Sequence, residues 1–138
     1  KTYRYVINNS EQGSSIYRNL EYFVPNKLNV EKMQEAVKYF EGEHDFKAFK
    51  ASGTSSKSSV RTIYKTKVEK QGDRIVIELT GNGFLYNMVR IIAGTLVEVG
   101  LGKIEPNEIP EIIEKGERAR AGKTLPPQGL YLVKVEYQ

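Results

Sequence analysis

The sequence predicts an α+β fold, an antiparallel sheet with helices packed on one face. Three observations predict it: period-two alternation at both ends of the chain, a long alternating hairpin in the middle, and stretches of 3.6-residue apolar period between the strands. A length of 138 residues, with 39% apolar and 28% charged residues, suits one domain around one core.

Each element has its own signal. In "TYRYVI", Tyr3, Tyr5 and Ile7 alternate with Arg4 and Val6, which makes a first strand, and a polar loop follows over residues 8 to 20. In "NVEKMQEAVKYFEG", Met33, Ala36, Val37 and Phe40 fall at i, i+3, i+4 and i+7. Asn29 stands at the N-cap and Gly42 just past the end, so this is an amphipathic helix. "ASGTSSKSS", residues 51 to 59, has the composition of an exposed flexible loop. A long strand comes next, with Val60, Thr62, Tyr64, Thr66 and Val68 expected on one face and Arg61, Ile63, Lys65 and Lys67 on the other. Gln71-Gly72-Asp73 turns it into "RIVIELT", where Ile75, Ile77 and Leu79 share a side. "GNGFLYNMVRIIAGTLVEVG", residues 81 to 100, reads as a glycine turn and then a helix over residues 84 to 99 that is apolar nearly all the way round. A shorter helix over 107 to 115 carries Ile109, Ile112 and Ile113, and "GLYLVKVEY" closes the chain as a strand after Pro126-Pro127. The main elements follow the ferredoxin-like order βαββαβ.

Charge and composition bound the function. The net charge of +4 favours a polyanion such as RNA or only sets solubility. With no cysteine and a single histidine, His44, neither a thiolate nor a histidine zinc site can be built, and no metal is expected. No stretch reaches the roughly 18 to 20 apolar residues a membrane span needs, and the start has no signal-peptide core, so a cytoplasmic protein without a membrane partner is expected. The chain begins at Lys1 and enters a strand directly, which reads as a piece of something longer.

One residue stands out on the apolar helix. Leu85, Val89, Ile92, Leu96 and Val99 form the stripe expected to face the core. Arg90 lies opposite, near Tyr86, Asn87, Ala93, Gly94 and Val97, and from 84 to 99 the only other charge is Glu98. That face is expected to meet another surface. An arginine there must be hydrated or paired, because an isolated buried charge is costly. It either snorkels or makes a structural ion pair, or it fixes a catalytic carboxylate or a phosphate. Gly81-Asn82-Gly83 lacks the lysine and the third glycine of phosphate loops and reads as a turn. Lys47, Lys50, Lys57, Arg61, Lys65 and Lys67 put six positive charges within 21 residues, either a track for a phosphate backbone or a solvated face. The candidate RNA contacts among them are Lys47, Lys50, Lys57 and Arg61. Asp45 suits a cap on the turn beginning at Phe46, and Tyr3 and Tyr5 read by spacing as core aromatics.

Five blocks together carry a resemblance: "KTYRYVI" at 1 to 7, "GEHDFKAF" at 42 to 49, "RTI" at 61 to 63, the block at 81 to 100, and "GLYLVKVEY" at 129 to 137. In order and spacing they resemble the C-terminal part of the tRNA pseudouridine synthase A family. The resemblance implies an isomerase that converts uridine to pseudouridine in the anticodon arm of tRNA, a homodimer that needs no cofactor or catalytic metal. It also implies roles: Arg90 ion-pairs with the nucleophilic aspartate, Tyr3 stacks on the target base, and Leu130 packs in the same pocket. The nucleophile itself is missing. The two aspartates, Asp45 and Asp73, lie outside the family's Arg-Thr-Asp context, and Arg61-Thr62 is followed by Ile63. Residues 1 to 138 are therefore expected to be a single domain, the C-terminal catalytic-cleft half, inactive without an N-terminal half of the same enzyme. The alternative is a stand-alone ferredoxin-like RNA-binding or dimerisation module, although "RIVIELT" lacks the exposed aromatics of RNA-recognition sheets.

Overall fold

The structure, a computed structural model, describes residues 1 to 10, 20 to 51 and 58 to 135. Most of the two loops expected at 8 to 20 and 51 to 59 lies outside these. The elements run β1 (Thr2–Asn8), β2 (Tyr22–Phe23), α1 (Val30–Lys38), β3 (Gly42–Asp45), β4 (Val60–Gln71), β5 (Arg74–Gly81), α2 (Met88–Gly100), α3 (Ile109–Lys115) and β6 (Leu130–Lys134). The central strands order as β6-β1-β5-β4, every pair antiparallel, which is the ferredoxin-like arrangement. Two short strands extend it: β2 runs parallel to the far end of β1, and β3 pairs with β4 at the other edge. Neither was expected. β2 is only two residues long, and "GEHD" in β3 has no apolar alternation, so both owe their pairing to the edges they meet.

The sheet buries one face under the helices. Tyr5, Ile7, Ile75, Ile77 and Leu79 join Met33, Ala36 and Val37 of α1 and Ile92, Leu96 and Val99 of α2 in one core cluster. Asn29 caps α1 as expected, its side chain accepting from the Lys32 amide at 3.1 Å. The opposite sheet face is mixed, with Arg4 paired to Glu78 at 2.9 Å and the Thr2 and Thr80 hydroxyls bonded at 2.9 Å, alongside Val6, Val76 and Tyr131.

Two expectations need correction. The face assignment of β4 fails in its first half: Ile63 is 1% exposed and Tyr64 is 63% exposed. Ile63 pairs with Gly81 and Lys65 with Thr80, so Tyr64 is an extra residue in a β-bulge, and the parity of the strand flips across it. Thr66 and Val68 then face inward alongside Ile63. The second correction concerns α2, which starts at Met88 rather than at 84. Asn87 holds φ 63°, ψ 5°, a left-handed conformation that a right-handed helix cannot extend through, so Phe84 to Asn87 run as irregular chain.

Candidate active site

The end of the sheet where β5 finishes is shaped by its glycine turn. A Cβ on Gly81 would stand 2.7 Å from the Thr62 carbonyl oxygen, so only glycine lets β5 end this close to β4. The Asn82 side chain accepts from the Thr62 amide at 3.0 Å and its own amide donates back to the Thr62 carbonyl at 3.0 Å. The element is structural, as its sequence suggested. It aims Phe84 to Asn87 across the mouth of the sheet toward β1 and β6.

There they enclose a cavity of about 330 Å³ lined by Tyr3, Phe84 to Arg90 and Leu130. Tyr3 comes from β1 and packs edge-on against Phe84, ring centroids 5.2 Å apart at 86°. Leu130 opens β6 directly across from Tyr5, which puts it diagonally next to Tyr3 on the same face. Arg90 enters from the first turn of α2. The three residues singled out from the sequence, distant along the chain, therefore line one cavity.

Arg90 is held on two sides. Its Nε donates to the Leu125 carbonyl at 2.7 Å and its Nη1 to the Asn87 side-chain oxygen at 2.8 Å. Among the described residues no carboxylate forms an ion pair with it, and its Nη2 has no acceptor there. A guanidinium is the flattest and most permanently charged donor available, suited to a bidentate carboxylate or phosphate. Tyr5, fully buried beneath, donates to the Pro126 carbonyl at 2.6 Å. Burial pushes its phenol well above the usual range, and the neighbouring Tyr22 adds to this, while the Arg90 charge pulls the other way.

The apolar face around Arg90 meets the chain itself. Residues 122 to 125 form a strap along α2: the Gly122 amide donates to Thr95 Oγ1 at 2.9 Å and the Leu125 amide to the Arg90 carbonyl at 3.2 Å. A Cβ on Gly94 would sit 1.9 Å from the Lys123 carbonyl oxygen, and one on Gly122 would sit 2.5 Å from Gly94. Facing glycines thus let two backbones touch. Along α2 only Arg90 and Glu98 escape full burial, and the strap supplies part of the surface that this face was expected to meet.

The other candidates among the described residues lie outside the lining of this cavity. Arg61 turns its Nη1 to the Ser58 and Val60 carbonyls, at 2.9 and 2.7 Å, beside Gly83. Lys47 lays its aliphatic stem over Gly116 after α3, and Lys50 is partly buried one residue before Ala51, whose amide reaches the Tyr86 carbonyl at 3.4 Å. Lys57 lies outside the described residues. Asp45 accepts from the Lys47 amide and the Ser59 hydroxyl, the local cap its position suggested, and His44 bonds the Glu41 carbonyl at 2.8 Å. Asp73 sits at the hairpin tip beside Arg74, which pairs with Asn8. Tyr3 lies five residues nearer the other end of β1, roughly 16 Å away at 3.3 Å per residue, so Asp73 cannot serve Arg90. Among the described residues no three acidic or histidine side chains converge as a metal site, and no helix is long and apolar enough to cross a membrane.

Residues 36–138 match the family model of tRNA pseudouridine synthase. The chain belongs to the tRNA pseudouridine synthase family. Relatives called tRNA pseudouridine synthase A include those of Acetivibrio thermocellus, 55% identical over 137 residues, and Ruminiclostridium cellulolyticum, 56% identical over 138. A further relative, tRNA pseudouridine synthase A 2 of Clostridium perfringens, is 51% identical over 137 residues. Each comparison covers 99% of this chain and 56% of the relative, so the chain spans little more than half the length of the tRNA pseudouridine synthases it is similar to. Arg90 and Leu130 fall inside the span matched by the family model, whereas Tyr3 precedes it.

Two groups that brace Arg90 were given no role by the sequence reading. The Leu125 carbonyl is a backbone group brought in by the strap, and no side-chain pattern announces it. Asn87 was legible only as a neighbour of Arg90 at i, i+3.

Proposed function

We propose that this chain is the C-terminal, cleft-forming half of a tRNA pseudouridine synthase, an isomerase that converts uridine to pseudouridine in the anticodon stem-loop of tRNA. The observation that carries the reading is the cavity in which an aromatic ring, an aliphatic side chain and a half-satisfied guanidinium converge. A uridine taken out of its stack needs an aromatic face and an apolar contact to offset what it loses, and Tyr3 and Leu130 supply those types. The nucleophilic aspartate comes from the N-terminal half. Arg90 pairs with it across the cleft, keeps it ionised by lowering its pKa by roughly 1 to 3 units, and orients it toward the sugar or base. No cofactor or metal takes part. The chain by itself is inactive, and its working form is a cytoplasmic homodimer of the complete enzyme.

A stand-alone RNA-recognition module is the weaker reading, because on the open sheet face Tyr131 beside Arg4 is an aromatic of the edge strand β6, and the central strand β5 presents Glu78 and Thr80 there rather than a stacking platform. The test mixes this chain with a separately produced N-terminal half and assays pseudouridine in tRNA. Each half alone should be inactive and the pair active, and Arg90→Ala should lower turnover by at least a thousandfold, the scale of losing a group that acts in the transition state. Turnover by the chain alone, or a fully active Arg90→Ala pair, overturns the reading.

A further inference from the structure

Asn87 combines two unusual features. It is the one non-glycine residue at positive φ among the described residues, and it occupies the N-cap of α2 without making a side-chain cap bond. Asparagine is a favoured N-cap because its oxygen can satisfy a free helix amide. Here that oxygen accepts instead from Arg90 Nη1 at 2.8 Å. A strained backbone and a forgone cap at one residue mark a position set by something other than helix stability.

We infer that Asn87 is a positioning residue for Arg90, an inference that rests on the proposed role of that arginine. The left-handed backbone turns the Asn87 side chain back over the first turn of α2, where an N-cap of ordinary conformation would point it at the helix amides. Its oxygen and the Leu125 carbonyl then clamp Nη1 and Nε. The clamp removes the rotamer freedom of a long side chain and leaves Nη2 for the acceptor across the cavity. Both braces are neutral, so the guanidinium keeps its whole charge for that acceptor. Asparagine meets both demands together: it tolerates the left-handed region, and it accepts a hydrogen bond without adding charge. Glycine satisfies only the backbone, alanine satisfies neither demand, and aspartate satisfies both but neutralises Arg90.

The test uses single-turnover pseudouridine formation by the reconstituted enzyme across pH, with Asn87→Gly, Asn87→Asp and Arg90→Ala. In Asn87→Gly the rate should fall about ten- to a hundredfold with KM within about twofold, the range lost when a catalytic constellation is misplaced. The acidic limb of its pH profile should move to higher pH, because a looser Arg90 depresses the nucleophile's pKa less. Asn87→Asp should be slower still, with a larger shift in the same direction. On the chain alone, the Arg90 Nε–H resonance should exchange with water faster in Asn87→Gly than in the parent. A residue that only supports the fold would change the melting temperature and leave limb and resonance in place. If Arg90→Ala is inactive while Asn87→Gly keeps both the parent rate and the parent limb, the positioning role is wrong and the function stands. If Arg90→Ala is active, the proposed function falls and this role with it.

Discussion

Glu41 shows how one residue can tie an edge of the sheet to a helix. Its carboxylate accepts from the Thr66 hydroxyl at 2.6 Å and the Thr66 amide at 3.0 Å, and Lys38 stands 3.4 Å away. The Thr66 hydroxyl bond holds its pKa below the usual carboxylate range, the Lys38 charge adds to this, and partial desolvation opposes both. Because the folded-state pKa is depressed, the stabilisation is complete above the unfolded value of about 4.3 and is lost as pH falls through the folded one. Glu41→Gln should therefore unfold at lower urea than the parent at pH 7, with the gap closing below about pH 4. A gap of constant size down to pH 3 would show that packing, not charge, is at stake. At this scale the sequence was informative about residue types and silent about partners. Arg90 could be picked out as the misfit on an apolar helix, but Leu125, whose carbonyl braces it, is 35 positions away.

Among the elements, α2 and the strap depend on each other. Glycine in mid-helix costs roughly 1 kcal/mol relative to alanine, a cost that the backbone contact at Gly94 offsets. Gly94→Ala would normally strengthen a helix. Here it should destabilise the chain by about 3 kcal/mol through overpacking against the Lys123 carbonyl, read from denaturant unfolding. It should also loosen Arg90, since the same strap presents the Leu125 carbonyl. A stabilised Gly94→Ala variant would mean that the strap is easily displaced. The periodic elements were legible in the sequence because their amphipathic patterns are local. The bulge at Tyr64, the short edge strands and the left-handed residue before α2 were not, since each is imposed by a neighbour in space.

Taken whole, the molecule keeps its lysine candidates out of the cavity lining, with Lys50 next to Ala51, whose amide reaches the Tyr86 carbonyl, and Lys47 against Gly116. If Lys47 and Lys50 track tRNA phosphates, converting both to glutamine should reduce the slope of log affinity against log salt by about 1.5 for the reconstituted enzyme. An unchanged slope would class them as solvated surface. The sequence by itself determined the α+β class, the order of the main strands and helices, the family, and the three residues Tyr3, Arg90 and Leu130 as candidates. The class and the order follow from side-chain periodicity and residue type, which are written along the chain, whereas Tyr3 and Leu130 became candidates only through the resemblance of whole sequence blocks to the family. Only the tertiary structure decided that these three residues share a cavity, that the apolar back of α2 is covered from within, and that Arg90 is clamped by Asn87 and a distant carbonyl. The reason is physical: backbone carbonyls are the same in every residue, and which one faces a given side chain depends on how packing closes the chain on itself.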